Sequence, residues 1–194
     1  MDISEVRTHI VATADELYNA KGIQAVGMDE LRAAAGVSLK KLYGEFSSKG
    51  SIVMAVLERR HDSWTEGLDQ TVRQAGTPRE QLLAIFDYLA EWFCQDSFRG
   101  CGFINSFAEL GAISPEVAGY ARKHKRSFQE YVDRLAQEAG APAFLAPQLA
   151  ILAEGAQTTA AIAGTPDAAG QARQAAEVLI DAALGPIGST AATG

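Results

Sequence analysis

The sequence predicts an all-α fold of about nine helices, and three observations carry that prediction. Apolar residues recur at i, i+3 and i+4 through most of the 194 residues, with no convincing period-2 stretch. Ser-Pro and Thr-Pro pairs open several segments, where a hydroxyl can cap free N–H groups and proline loses no hydrogen bond. Glycine follows several of the same segments, at the position where helices end in the left-handed region.

The first helix starts near Ser4, carries a one-sided stripe of Val6, Ile10, Ala14, Leu17 and Tyr18, and stops at Gly22. Met28 to Ala35 follows, ended by Gly36, and then Ser38 to Phe46 with Ser38 as N-cap. A long fourth helix runs from about Ser48 to Gly76. Thr77-Pro78-Arg79-Glu80 joins a capping box to an N1 proline and opens a helix over 78–95. Further helices are expected at 103–111, at 115–139 behind Ser114, at 145–163, and at 166–184 behind Thr165. Residue classes shift near Phe46–Ser48, so residues 1–47 read as one domain and 48–185 as a second. No flexible linker separates them, and the fourth helix is expected to couple them rigidly. The tail, 186–194, has no pattern and reads as disordered.

At 47% hydrophobic residues the chain can bury a core without staples. The start, MDISEVRTHIVATADEL, is charged and amphipathic rather than a signal segment, and no charge-free run could span a bilayer. Cys94 and Cys101 are seven apart, not C-x-x-C; a buried structural thiol is favoured over a redox sensor, and a reducing, cytoplasmic setting is expected. The net charge of −7 argues against a polyanionic partner until its distribution is read. From Arg32 to Arg60 six basic residues stand against Glu45 and Glu58, whereas residues 61–194 hold nine basic and sixteen acidic ones. A positive segment on an acidic body suits a small DNA-binding head, although charge runs are often only solvated faces.

MDELRAAAGVSLKKLYGEF is two short helices joined by a glycine-containing turn, the pattern of a helix-turn-helix. Leu31, Ala35, Val37, Leu42 and Phe46 can form its small core. At about 100° per residue, Lys40 and Gly44 fall opposite Leu42 and Phe46, with Lys41 and Tyr43 flanking that outer face. If the outer face enters a major groove, Lys40 meets base edges, Gly44 permits close approach, and Lys41 and Tyr43 reach phosphates. Lys49, in the first turn of the next helix, adds a phosphate contact. The bland alternative is a solvated helix that tolerates its glycine at a cost of about 1 kcal/mol.

The stretch from IVATADELYNAKG through MDELRAAAGVS to LYGEFSSK resembles the N-terminal domain of the TetR family of transcriptional regulators. The resemblance covers about the first quarter of the chain. It implies DNA contacts from Ser38, Lys40, Lys41, Tyr43, Gly44 and Lys49. Val26 and Gly27 stand where the family usually has Thr or Ser, so one phosphate-binding hydroxyl is missing. Arg32 either takes over a backbone contact or is merely exposed. Lys40-Lys41 and Gly44-Glu45 also depart from the family pattern, so the operator cannot be borrowed from relatives.

Aromatic residues crowd 82–132, and helical spacing makes most of them core. A pocket for an apolar ligand would use the same residues with a few polar groups. The candidates are Phe86, Trp92, Phe93, Phe103, Asn105, Phe107, Glu109, Phe128 and Gln157. Asn105 could equally cap or bridge helices, and Gln157 could face a subunit interface. GC…N…E, with the later HK-containing and LAILAEGA segments, resembles one branch of TetR-type effector domains, more loosely than the head does. It implies a small-molecule effector cavity in the body and a two-fold homodimer; the aromatic residues make an apolar or aromatic effector the expectation. The resemblance implies that the last two helices pack against their symmetry mates as a four-helix contact carrying Leu149, Leu152, Ile162, Val178 and Leu179, and their alanine- and glycine-rich composition fits an isologous contact. A monomeric helical core is the alternative.

His9, His61 and His124 lack the spacing of a metal site, and GCGFIN lacks the third glycine of a phosphate loop. No catalytic constellation, metal or cofactor is expected. The sequence therefore reads as a regulator, a repressor of double-stranded operator DNA relieved by a small molecule. The rivals are a helical small-molecule carrier or enzyme with DNA binding lost, and an interaction module built on the alanine-rich helices.

Overall fold

The computed structural model describes residues 3–185; the predicted tail at 186–194 lies outside them. Among the described residues the chain forms nine helices and no strand: α1 (Ile3–Lys21), α2 (Met28–Ala34), α3 (Leu39–Glu45), α4 (Lys49–Arg73), α5 (Pro78–Phe93), α6 (Gly102–Leu110), α7 (Pro115–Glu138), α8 (Leu145–Ala163) and α9 (Asp167–Leu184). The predicted punctuation does its local work. Gly22 at φ +85° ends α1 and Gly36 at +64° forms the α2–α3 turn. Thr77 Oγ1 accepts from Glu80 N and donates to the Glu80 carboxylate, so Thr77 caps one free N–H in the first turn of α5 and Glu80 holds the capping hydroxyl. Ser114 Oγ likewise accepts from Val117 N at the start of α7.

The helices gather into two compact units. One takes the described residues up to Trp64 together with Cys101–His124; the other takes Thr65–Gly100 and the described residues from Lys125 on. This division differs from the chain-order boundary at residues 47 and 48. α6 and the first half of α7 join the N-terminal helices because Phe103, Val117 and Ala121 enter the same apolar core as Ile10, Leu31, Leu42, Phe46 and Ile52.

The second unit is built on α5, α8 and α9, each packed on the other two. Alanines set the spacing: Ala153, Ala169 and Ala176 are almost fully buried beside Leu82, Phe86, Leu149 and Ile180. Small side chains let helix axes approach, so dispersion contacts are gained along the whole length. Arg79 bonds Asp181 at 2.6 Å and Arg173 bonds Asp87 at 2.6 Å, tying α5 to α9 at two heights. Among the described residues no helix is long and apolar enough to cross a membrane.

Candidate nucleic-acid interface

The α2–α3 pair is fixed by backbone chemistry at the turn and by burial beneath it. Val37 N donates to Arg32 O across the turn, and Ser38 Oγ accepts from Lys41 N, capping α3 as its position predicts. Leu42 and Phe46 are buried at 0% and 2% exposure, which fixes which side of α3 faces out. Lys40, Tyr43 and Gly44 lie exposed on that outer side. A Cβ built at Gly44 meets nothing within 4 Å, so no internal packing requires the glycine.

The basic side chains around this face are not equally free. Lys41 Nζ lies 2.9 Å from Glu45 Oε1, an i,i+4 pair, and Arg32 bonds Asp29 at 2.8 Å. Arg32–Asp29 is a surface pair of modest worth that a phosphate could displace, whereas the Glu45 carboxylate that holds Lys41 is largely buried. Lys49 donates to Gln24 O at 3.4 Å; burial lowers its pKa, and the nearby Glu109 charge partly opposes that shift. Ser48 and Ser51 exchange hydrogen bonds between each backbone N–H and the other's hydroxyl, forming the start of α4.

Two contributors lie outside the residues predicted for this interface. Arg7 of α1 places its guanidinium 4.0 Å from the Phe46 ring centroid and donates to Glu45 O at 2.6 Å, bracing the end of α3. Its signal was weak: a lone exposed arginine on an amphipathic helix. Glu109 of α6 accepts from Ile23 N at 3.1 Å and Gln24 N at 2.9 Å, while Gln24 Nε2 donates to Glu109 O at 2.9 Å. One carboxylate thus satisfies two N–H groups of the α1–α2 connection. That pairing spans 86 residues, and no local pattern announces it.

The residues expected to form an effector pocket are divided between the units. In the first, Phe103 stacks on buried His124 with centroids 3.7 Å apart, Glu109 is engaged as above, Asn105 is exposed, and Phe107 is exposed beneath Arg122. In the second, Phe86, Phe93, Phe128 and Gln157 are buried, and Trp92 packs edge-on against Phe98. Of the residues assigned to a subunit contact, Ile162 and Val178 are 84% and 69% exposed, Leu152 and Leu179 are half-buried, and Leu149 lies inside the unit.

The family model of bacterial regulatory proteins of the tetR family matches residues 10–56. The HTH-type transcriptional activator FasR of Mycolicibacterium smegmatis is 30% identical over 148 residues, 76% of this chain and 66% of that protein. The HTH-type transcriptional repressor NemR of Escherichia coli is 27% identical over 124 residues, 63% of this chain and 62% of that one. The chain therefore spans slightly under two thirds of the length of these relatives. A TetR-family transcriptional regulator from Streptomyces coelicolor shares the fold with a TM-score of 0.87 at 24% identity, over 93% of this chain and 97% of that one.

Proposed function

The chain belongs to the TetR family of bacterial regulatory proteins, and on that premise we propose that it is a DNA-binding transcriptional regulator acting as a cytoplasmic homodimer on a pseudo-palindromic operator. The observation that carries this reading is the outer face of α3, which presents Lys40, Tyr43 and a glycine that nothing inside the chain requires. Close approach to a major groove gives that glycine its use. Lys40 reads base edges; Ser38, Lys41, Tyr43, Lys49 and Arg32 hold phosphates. Two such faces insert into successive grooves about 34–36 Å apart.

Dimerisation uses the exposed strips of α8 and α9, with Ile162 and Val178 at the contact, Leu152 and Leu179 at its edge, and Leu149 supporting it from beneath. An apolar or aromatic effector bound among Phe86, Trp92, Phe93, Phe128 and Gln157 favours one spacing of the heads by binding that arrangement more tightly. α4 contributes to both units and is the element through which the change passes. The role is binding, not catalysis, and repression relieved by the effector is the direction proposed.

Retardation of duplexes selected from a random pool tests the reading. A folded dimer that retards no duplex at low salt would favour a helical carrier or enzyme instead. With an operator in hand, Lys41→Ala should weaken all sequences and flatten the salt slope by about one ion. A reporter that rises rather than falls on expression would reverse the direction.

A further inference from the structure

We propose that Glu45 is a built-in competitor for the DNA backbone: its carboxylate holds the Lys41 ammonium that a phosphate must take, and so limits how tightly the α3 face binds any duplex. The proposal rests on the reading of α3 as the DNA-facing helix and adds a residue that restrains it.

The two lysines of α3 are in different states. Lys40 is exposed and enters no ion pair among the described residues. Lys41 Nζ lies 2.9 Å from Glu45 Oε1, and the Glu45 side chain is only 11% exposed. The neighbouring Arg32–Asp29 pair is open to solvent on both sides, so water can replace either partner as a phosphate arrives. At Glu45 that replacement is restricted. Drawing Lys41 away leaves a largely buried carboxylate without its cation, which costs more than breaking an exposed pair.

Helix stability does not account for an acid at this position. Glu45 is the last residue of α3, where the helix dipole disfavours negative charge. Lys41 precedes Glu45 in the chain, the weaker order for an i,i+4 pair. Both partners are nevertheless held in place. Arg7 of α1 donates to Glu45 O at 2.6 Å and covers the Phe46 ring at 4.0 Å, anchoring the backbone beneath the carboxylate from a second helix. Ser38 Oγ accepts from Lys41 N and anchors the other end. With both backbones fixed, Lys41 reaches a phosphate only by leaving Glu45. Phosphate contacts carry no sequence information, so the restraint acts on affinity and not on the bases that Lys40 meets.

Fluorescence-anisotropy titration of the folded dimer on the selected operator and on a random duplex tests this, with melting followed by circular dichroism to confirm folding. Glu45→Gln should tighten binding to both duplexes about threefold or more. Glu45→Ala, which also removes the neutral acceptor that glutamine keeps, should tighten it at least as much. In a chain already carrying Lys41→Ala, either change should alter affinity less than about 1.5-fold, because the competition needs both partners. Tightening by either Glu45 variant that requires Lys41 supports the proposal. Unchanged or weaker binding by both variants, or an equal gain with and without Lys41, would overturn it and leave the DNA-binding reading intact. A parent that binds no duplex would overturn both.

Discussion

The outer face of α3 and the outer faces of α8 and α9 are both exposed helical surfaces, built from opposite materials. α3 presents Lys40, Tyr43 and Gly44 over a core of large side chains, Leu42 and Phe46. α8 and α9 present Ile151, Ile162 and Val178 beside Gly155 and Ala175, over a core spaced by alanine. Charge with one open glycine suits a hydrated polyanion; aliphatic and small residues suit a surface that must exclude water. Exposure alone therefore says little about a partner. Composition of the exposed strip, and the side-chain size beneath it, say more.

The contrast can be broken by opposite operations in the two places. Leu42→Ala should remove about 3 kcal/mol of stability, because the small first core cannot collapse around the loss; urea unfolding measures it. Ile162→Glu with Val178→Glu should raise the dimer dissociation constant about a hundredfold or more in sedimentation, with helix content unchanged. Ala176→Leu should cost about 2 kcal/mol by overpacking α9, where adding atoms harms as deletion does under α3. If Ala176→Leu is neutral, the second unit is looser than its alanine spacing implies.

A smaller effect, present in both units, depends on pH. Burial raises Tyr18 in the first unit, and Tyr88 and Tyr131 in the second, to about 12. Each folded-state pKa lies above the unfolded value near 10, so the contribution to stability is complete below about pH 10 and is lost as pH rises towards 12. Urea unfolding across that window should show falling stability, and Tyr18→Phe should make the fall shallower.

How much of this was legible in the sequence depends on the kind of information each feature needs. The outer face of α3, the Ser38 cap, the Gly36 turn and the Thr77–Glu80 box are local, and residue type at fixed spacing specifies them. Lys41–Glu45 was equally local, an i,i+4 pair available to inspection. Periodicity says which face of a helix is buried, not which helix covers it. It therefore could not report that α6 joins the N-terminal core, or that Glu109 holds the Ile23 and Gln24 N–H groups across more than eighty residues. Nor could it reveal that Asn105 and Glu109 line a trough with Tyr18 and Arg60. An aromatic-rich stretch similarly looks alike whether its rings meet a ligand or one another.

The central claim is that the outer side of α3 lies against DNA, and Gly44→Leu tests it most directly. In the free protein the new side chain enters open space, and its better helix propensity should raise stability by up to about 1 kcal/mol. Fluorescence-anisotropy titration on the selected operator should nevertheless show binding weakened at least tenfold, because the added atoms occupy the approach to the groove. A variant that melts higher and binds the operator as tightly as the parent would contradict the account.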